Sequence, residues 1–323
     1  MIKHTSKLAW AASSLALVAT AFGDVKVNEN ISINGYAVGA ITSTDIDGGE
    51  AIDTYFESKG SPAIVNADAV KFGVLGTAGA VSAYGSILYL PGASNEAGLL
   101  DAYATYNTGT GLKITGGKFL SYLGFEAFDP INMTQLTYGS TIFAVPAYHT
   151  GAKLDFSGDT FSVGVAAVDS VYSGPRGFFE GDREYSDDIG LEAMFSYTGI
   201  KNLTVFAGIA SENTHGAADD LFIFDLWLSY AVSDKLTLSA EYDTQNDYMS
   251  GWLGQVGYKF TDKFSTIFRM SGVSWDAGGD DLKYTIAPTY TINSNFSLRA
   301  EFSIGEGDTA DYTFAGGQIV FKF

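Results

Sequence analysis

The sequence predicts an all-β fold, a closed antiparallel transmembrane β-barrel of about 16 strands, with 14 as the alternative count. Apolar residues recur at every second position from Ile31 onward, which is the period of a strand and not of a helix. Most of these segments have the roughly 9 to 11 residues that a tilted strand needs to cross a bilayer. The connections alternate between tight turns and longer stretches, as in barrels of the outer membrane.

The first residues have the composition of a segment that is removed during export. Lys3 and Lys7 precede an apolar stretch over 8–22, which ends in small residues at Gly23. This pattern predicts a signal peptide over 1–23, followed by a single barrel domain over 24–323. The alternative is an uncleaved membrane anchor, but the apolar run is short and no stop-transfer flank follows it. The predicted location is the outer membrane of a Gram-negative-type cell.

The composition favours many short strands. The chain has 38 Gly, 19 Tyr and 23 Phe against 6 Pro, and no Cys. Its formal net charge of -19 argues against a nucleic-acid partner, because phosphates require a surface rich in Lys and Arg. No run of the roughly 20 apolar residues required by a membrane helix follows the first segment.

The predicted strands follow one another along the whole chain. The clearest lies over 220–231, where Phe222, Phe224 and Leu226 share one face and Asp225 and Trp227 share the other. The segments 68–77 and 111–120 are the weakest, and misreading both would give 14 strands. In order, the strands cover 31–42, 68–77, 80–90, 98–107, 111–120, 148–157, 160–169, 187–197, 203–211, 220–231, 236–243, 249–260, 264–274, 281–292, 296–304 and 312–323.

The polar faces of these strands are expected to line the interior. A Lys or Arg that faces lipid at mid-depth costs about 2 to 4 kcal/mol, so the charged face must point inward. A soluble sandwich would need a second sheet to cover the apolar faces. At about 16 strands the lumen is too wide for wall side chains to fill, and it should hold water. The predicted channel wall comprises Asp101, Lys113, Asp155, Glu192, Asp225, Glu241, Asp243, Lys259, Arg269, Lys283, Arg299 and Glu301.

The connection over 121–147 is expected to fold into the barrel and narrow it. It follows the fifth strand and mixes large apolar side chains with Glu126 and Asp129, whereas a surface loop is more often plainly polar. Lys118 and Lys153 lie on the strands that flank it and are the predicted opposite pole of a transverse field. Strict alternation would aim Lys118 at lipid, so a bulge at Gly116-Gly117 is expected to turn it inward.

Two further sets of residues suggest an assembly signal and a weaker metal site. Ile319, Phe321 and Phe323 share one face, which resembles the signal that the barrel assembly machinery reads, although an ordinary edge strand would also alternate. Acidic loop residues offer oxygen ligands to Ca²⁺, but they lack the spacing of a calcium hand, and solvated loops are the favoured interpretation. The weak calcium candidates are Asp45, Asp47, Glu50, Asp276 and Asp280.

Three short motifs resemble a known family, the OmpL-like outer-membrane β-barrel porins. They are Gly117-Lys118-Phe119, Gly124-Phe125-Glu126, and Pro146 with His149-Thr150-Gly151, and together they cover about a tenth of the chain. The resemblance implies an outer-membrane porin-like barrel. Together with the wide, polar lumen, it predicts a water-filled channel for passive diffusion of small hydrophilic solutes and ions. The expected partners of the barrel are outer-membrane lipids, the assembly machinery and small hydrophilic solutes, and the resemblance to porins makes a homotrimer the expected oligomer.

Two other functions are left open. The first is a non-conducting barrel that acts as an adhesin or surface scaffold through its acidic outer loops. The second is an enzyme, but after the predicted cleavage only His149 and His215 remain as histidines, and no nucleophile motif accompanies either. We therefore predict no catalysis and no cofactor, and the sequence does not identify the transported solute.

Overall fold

The computed structural model describes residues 25–47, 69–90, 97–171, 189–213, 220–308 and 311–323. The predicted signal peptide, Glu50 and His215 lie outside these ranges. The strands are β1 (Val25–Lys26), β2 (Ile31–Asp47), β3 (Ala69–Ala78), β4 (Val81–Tyr89), β5 (Ala97–Asn107), β6 (Leu112–Leu120), β7 (Tyr148–Ser157), β8 (Phe161–Val168), β9 (Gly190–Tyr197), β10 (Leu203–Glu212), β11 (Leu221–Ala231), β12 (Leu236–Gln245), β13 (Met249–Lys259), β14 (Phe264–Trp275), β15 (Asp280–Asn293), β16 (Phe296–Gly307) and β17 (Asp311–Lys322).

The sixteen strands β2 to β17 form a closed antiparallel barrel. Each pairs with the next along the chain, and β17 pairs with β2 from Asp311↔Asp47 to Lys322↔Tyr36. The two-residue strand β1 adds to the beginning of β2. The fold prediction is confirmed, and the two weakest predicted segments are the strands β3 and β6.

The two faces of the barrel wall differ sharply in character. On β14, Phe268 is 51% exposed on the outer face, whereas its neighbour Arg269 is 0% exposed on the inner face. Aromatic rings cluster where β13 turns into β14, with Tyr258 and Phe260 4.8 Å apart and Phe260 and Phe264 5.3 Å apart. Such an apolar outer face with aromatic ends suits the boundary between lipid and water.

The structure describes one short helical turn, Ser140–Phe143, and contains no helix of the length and apolarity needed to cross a bilayer within its described ranges. This turn lies between β6 and β7, in the segment expected to fold inward. We call residues 121–147 the inner segment.

The predicted bulge at Gly116-Gly117 is wrong. The ladder of β6 runs through Gly116, Gly117 and Lys118 without a register shift against either neighbouring strand. The shift occurs instead between β4 and β5, where Ser86 pairs with Asp101 and Ile87 pairs with Leu99. The Lys118 ammonium donates to the carbonyl of Leu99 at 2.9 Å. The register shift next to the Leu99 carbonyl, which accepts the hydrogen bond from this ammonium, therefore lies between β4 and β5 and not on β6.

The strands β5 and β6 approach each other closely at Gly117, and a substitution there tests this contact. The φ of Gly117 is +129°, and a Cβ there would overlap the carbonyl oxygen of Ala102 and lie 2.7 Å from the Cα of Tyr103. We expect Gly117→Ala to lower the free energy of unfolding by about 1 to 3 kcal/mol, the range of a strained backbone conformation. Gly254→Ala is the matched control, because a Cβ at that strand position meets nothing within 4 Å. Equal urea midpoints for the two variants, measured in detergent, would contradict this account.

Candidate channel constriction

The inner segment lies inside the barrel and is bound to the wall around most of its circumference. Most of its side chains are buried. Its backbone and side chains accept or donate hydrogen bonds to wall residues on β2, β3, β7, β9, β11, β12, β14, β15 and β16. Because this segment forms no strand, its backbone groups need such partners to be satisfied away from water.

Glu126 forms an ion pair with Arg269 on the opposite wall. The carboxylate accepts from the Arg269 guanidinium and from the Gln135 amide, and it also accepts the backbone N–H of Gly139 at 2.5 Å. Arg269 is fully buried and also donates to the Thr285 hydroxyl at 3.2 Å. The pair therefore fixes two parts of the inner segment, near residues 126 and 139, to β14.

Asp129 forms a second ion pair, with Lys71 on β3. The Lys71 ammonium lies 3.1 Å from the nearer Asp129 oxygen and 3.0 Å from Asp101 on β5. The Tyr36 hydroxyl donates to Asp129 at 3.1 Å, and the Ser86 hydroxyl donates to Asp101 at 2.6 Å. This ammonium thus bridges the wall and the inner segment. The sequence does not single out Lys71 or Tyr36 for this role.

Glu126 and Asp129 form their ion pairs with Arg269 and Lys71, and not with the predicted Lys118 and Lys153. The Lys153 ammonium lies over the rings of Phe119 and Tyr122, 4.8 and 4.9 Å from their centroids, and Lys118 binds the Leu99 carbonyl. The physical reason is that the inner segment crosses the lumen. Its acidic residues consequently meet strands far along the chain, not the two strands that flank it.

Wall charges also bind backbone groups of the inner segment. Glu301 accepts the N–H groups of Leu136 at 2.6 Å and Thr137 at 2.9 Å, and the Lys283 ammonium donates to the Tyr138 carbonyl at 2.9 Å. Arg299 donates to the carbonyls of Pro130 and Ile131. These bonds hold the middle of the inner segment against β15 and β16.

His149 and Glu192 hold the two ends of the inner segment together. The Nε2 atom of His149 lies 2.9 Å from Glu192 Oε1, and its Nδ1 atom lies 2.9 Å from the Ser170 carbonyl. Glu192 also accepts the Ser121 hydroxyl at 2.6 Å and the Tyr122 N–H at 3.3 Å. His149 is fully buried, so both ring nitrogens serve this network.

Most of the predicted wall residues are buried, and the inner segment covers several of them. Lys113 and Asp155 are cross-strand partners, the Tyr122 hydroxyl donates to Asp155 at 2.7 Å, and Lys259 is exposed beside Asp262 at a turn. Arg269, Arg299 and Glu301 are 0%, 8% and 3% exposed, because the inner segment lies against them. An expectation that these positions face open water is therefore wrong. Asp225, Glu241 and Asp243 are also buried.

The weak calcium candidates lie on exposed loop positions or at strand ends where the structure describes them, and Glu50 falls outside the described residues. Asp45 is exposed, Asp47 lies at the end of β2 with its backbone paired to Asp311, and Asp280 donates its N–H to Asp308 at 3.1 Å. Among the side chains that the structure describes, those of Asp45, Asp276 and Asp280 do not converge on a group of three ligands.

A closed barrel with an apolar outer face and an inner segment bound across its lumen defines the porin-type class of outer-membrane proteins. The chain belongs to the family described as "Putative beta-barrel porin-2, OmpL-like", whose model matches residues 66–320. It is therefore a protein of the outer membrane. No curated protein matches the sequence.

Several solved outer-membrane structures share the fold. The outer-membrane channel DcaP of Acinetobacter baumannii is 14% identical with a TM-score of 0.64, over 93% of this chain and 99% of that one. The high-pH structure of Pseudomonas putida OprB is 11% identical with a TM-score of 0.70, over 91% and 94%. The anion-selective porin from Comamonas acidovorans is 9% identical with a TM-score of 0.64, over 91% and 99%. At these identities the likeness is one of fold.

The motifs on which the family resemblance rests lie in the inner segment and on the two strands that flank it, β6 and β7. Gly124 and Phe125 donate their N–H groups to Asp225 and Glu241, and Glu126 binds Arg269. Gly151 has no room for a side chain, since a Cβ would overlap the carbonyl of Ala167. The middle motif thus binds the inner segment to the wall, and Gly151 permits the close approach of β7 and β8.

Proposed function

We propose that the protein is a porin that passes small hydrophilic solutes and ions by passive diffusion through a narrowed, water-filled path. The observation that carries the proposal is a wall with charges of both signs, faced by a charged segment bound within it. A lumen of about 16 strands is wider than wall side chains fill. The inner segment then sets the width and the field of the remaining path.

The proposed constriction keeps Glu126 and Asp129 but changes their basic partners. Arg269 and Lys71 replace Lys118 and Lys153 as the opposing cations. Lys71 lies between two carboxylates, those of Asp101 and Asp129, so this side of the path has an excess of one negative charge. A local excess of negative charge favours cations in a path with low-dielectric walls.

This arrangement predicts how the selectivity responds to single substitutions. Lys71→Gln adds to the negative excess and should shift the reversal potential toward cation selectivity, whereas Asp129→Asn should shift it toward anion selectivity. The effect should be largest at low salt, where screening is weak. Lys201→Gln, at an exposed turn position, is the control for a simple change in net charge. Identical reversal potentials in all four proteins would place the path away from Lys71.

A second candidate function is a non-conducting barrel that acts at the cell surface. The burial of Arg269 and Glu301 beneath the inner segment favours it, because covered wall charges do not line a water path. Its acidic loop residues over 48–68 and 172–188 fall in ranges that the structure does not describe. Planar-bilayer conductance of the refolded protein distinguishes the two functions.

The proposed oligomer is a homotrimer. A homotrimer is supported by a similar structure, the trimer form of in-vitro folded OmpT of Vibrio cholerae, which is 14% identical with a TM-score of 0.58. Crosslinking of the folded protein tests this assembly.

A role without catalysis is supported by His149, because both of its ring nitrogens take part in structural hydrogen bonds.

A further inference from the structure

Three buried carboxylates meet on the inner face of neighbouring strands β11 and β12. Asp225 and Asp243 are direct partners in the ladder, and Glu241 follows on the same face of β12. One carboxylate oxygen from each residue lies within 4.8 Å of the others. Asp225 and Asp243 are 0% exposed and Glu241 is 5% exposed, so the cluster is shielded from water.

The oxygens of this cluster are only partly occupied by hydrogen bonds. Asp225 Oδ2 accepts the Gly124 N–H at 2.7 Å, and the two Glu241 oxygens accept the Phe125 N–H at 2.5 Å and the Thr141 hydroxyl at 2.7 Å. Asp225 Oδ1 and both oxygens of Asp243 are buried without a hydrogen-bond donor. Asp243 therefore presents an entire unpartnered carboxylate to the cluster.

The cluster also lacks a basic partner among the residues that the structure describes. Among the described residues, no Lys, Arg or His nitrogen lies within 4.0 Å of these three carboxylates, although other luminal acids have such partners. Glu126 pairs with Arg269, Asp129 with Lys71, and Glu192 with His149. Buried charges are paired, bound to a metal ion or neutralised by protons, since an isolated buried charge is very costly.

We propose that Asp225, Glu241 and Asp243 bind a divalent cation, with Ca²⁺ preferred. A ligand set of oxygens alone selects hard cations, and Ca²⁺ accepts irregular geometry at about 2.3 to 2.6 Å per oxygen. A separation of up to 4.8 Å between ligand oxygens fits within twice that distance. Mg²⁺, at about 2.0 to 2.1 Å, demands near-ideal octahedral geometry and a tighter set.

The bound ion would join the inner segment to the wall. The same carboxylates accept hydrogen bonds from Gly124, Phe125 and Thr141, so the cation fixes the carboxylates that hold both ends of this segment. The site is additional to the proposed diffusion path and does not depend on conduction. The competing explanation is that protons neutralise the cluster.

Terbium luminescence provides a test, because Trp227 lies opposite Glu241 in the ladder and serves as the sensitiser. The refolded barrel in detergent is stripped with EDTA and titrated with Tb³⁺ in a Trp275→Phe background, since Trp275 contacts the loop carboxylate of Asp281. We expect saturable luminescence that Ca²⁺ competes away and that Mg²⁺ competes away less effectively. Asp243→Asn should weaken Tb³⁺ binding at least tenfold, and Trp227→Phe should strongly lower the luminescence without changing the affinity.

The matched control is the loop variant Asp276→Asn with Asp280→Asn, which should bind Tb³⁺ like the parent protein. Heat-modifiable migration in gels confirms folding, and Asp225→Asn replaces Asp243→Asn where the latter does not fold. The two loop substitutions leave the interior of the barrel unchanged. Calorimetry on the folded loop variant should therefore still detect a calcium site. Absence of saturable binding, unchanged affinity in the folded Asp243→Asn protein, or loss of binding in the loop variant alone would overturn the proposal.

Discussion

Glu126→Gln is expected to raise the single-channel conductance several-fold. The Glu126 carboxylate binds the Arg269 guanidinium, the Gln135 amide and the Gly139 N–H, and so fixes two parts of the inner segment to β14. Removing one partner of a buried ion pair costs about 3 to 5 kcal/mol, because the remaining charge is left uncompensated. The inner segment should then detach from this wall, and the path should widen. Single-channel recordings in planar bilayers measure the change.

The control for this experiment is an ion pair that fixes nothing inside the barrel. Lys259 and Asp262 pair at 3.4 Å on an exposed turn, so Asp262→Asn should leave the conductance unchanged and cost no more than about 1 kcal/mol. A double variant, Glu126→Gln with Arg269→Met, should recover part of the lost stability, because no buried charge remains unpaired. Equal conductance in wild type and Glu126→Gln would show that this ion pair does not hold the constriction.

Phe323→Ser, or deletion of residue 323, is expected to lower strongly the amount of folded barrel in outer membranes. Phe323 and Gly35 exchange two backbone hydrogen bonds at 3.0 Å across the seam between β17 and β2. Its ring packs 6.1 Å from that of Phe321 and covers Gly35, where an added Cβ would lie 2.9 Å from the ring. Phe323 thus contributes to the contacts that close the barrel at this seam, in addition to its place in the proposed assembly signal.

Phe260→Ser is the matched control for the terminal substitution. Phe260 is also an exposed aromatic residue beside a turn, and it stacks on Phe264 away from the seam. The heat-modifiable fraction in isolated outer membranes, normalised to total protein, measures assembly. Equal fractions in wild type, Phe323→Ser and the deletion would contradict a role of this residue in assembly.

Much of the fold could be predicted from the sequence, because strand alternation is a local property. Each strand must place apolar residues on lipid and charges inside, so positions such as Phe268 and Arg269 are assigned by their spacing alone. The antiparallel orientation of β17 against β2 follows from the even strand count. The family motifs likewise identify the segment that contributes to the interior.

The partners within the lumen could not be predicted in the same way. Glu126 meets Arg269 across 143 positions, and Asp129 meets Lys71 across 58. These encounters depend on the direction in which the inner segment crosses the barrel, which no local pattern encodes. The convergence of Asp225 and Asp243 similarly depends on the register of β11 against β12.

The most direct test of the proposed function is the planar-bilayer conductance of the refolded, heat-modifiable wild-type protein. The proposed porin should insert in discrete steps of reproducible size and conduct without a voltage threshold, and Glu126→Gln should give larger steps under the same conditions. If the folded wild-type protein and the folded Glu126→Gln variant both leave the bilayer at its baseline current, the result contradicts a diffusion channel. The non-conducting barrel is then favoured.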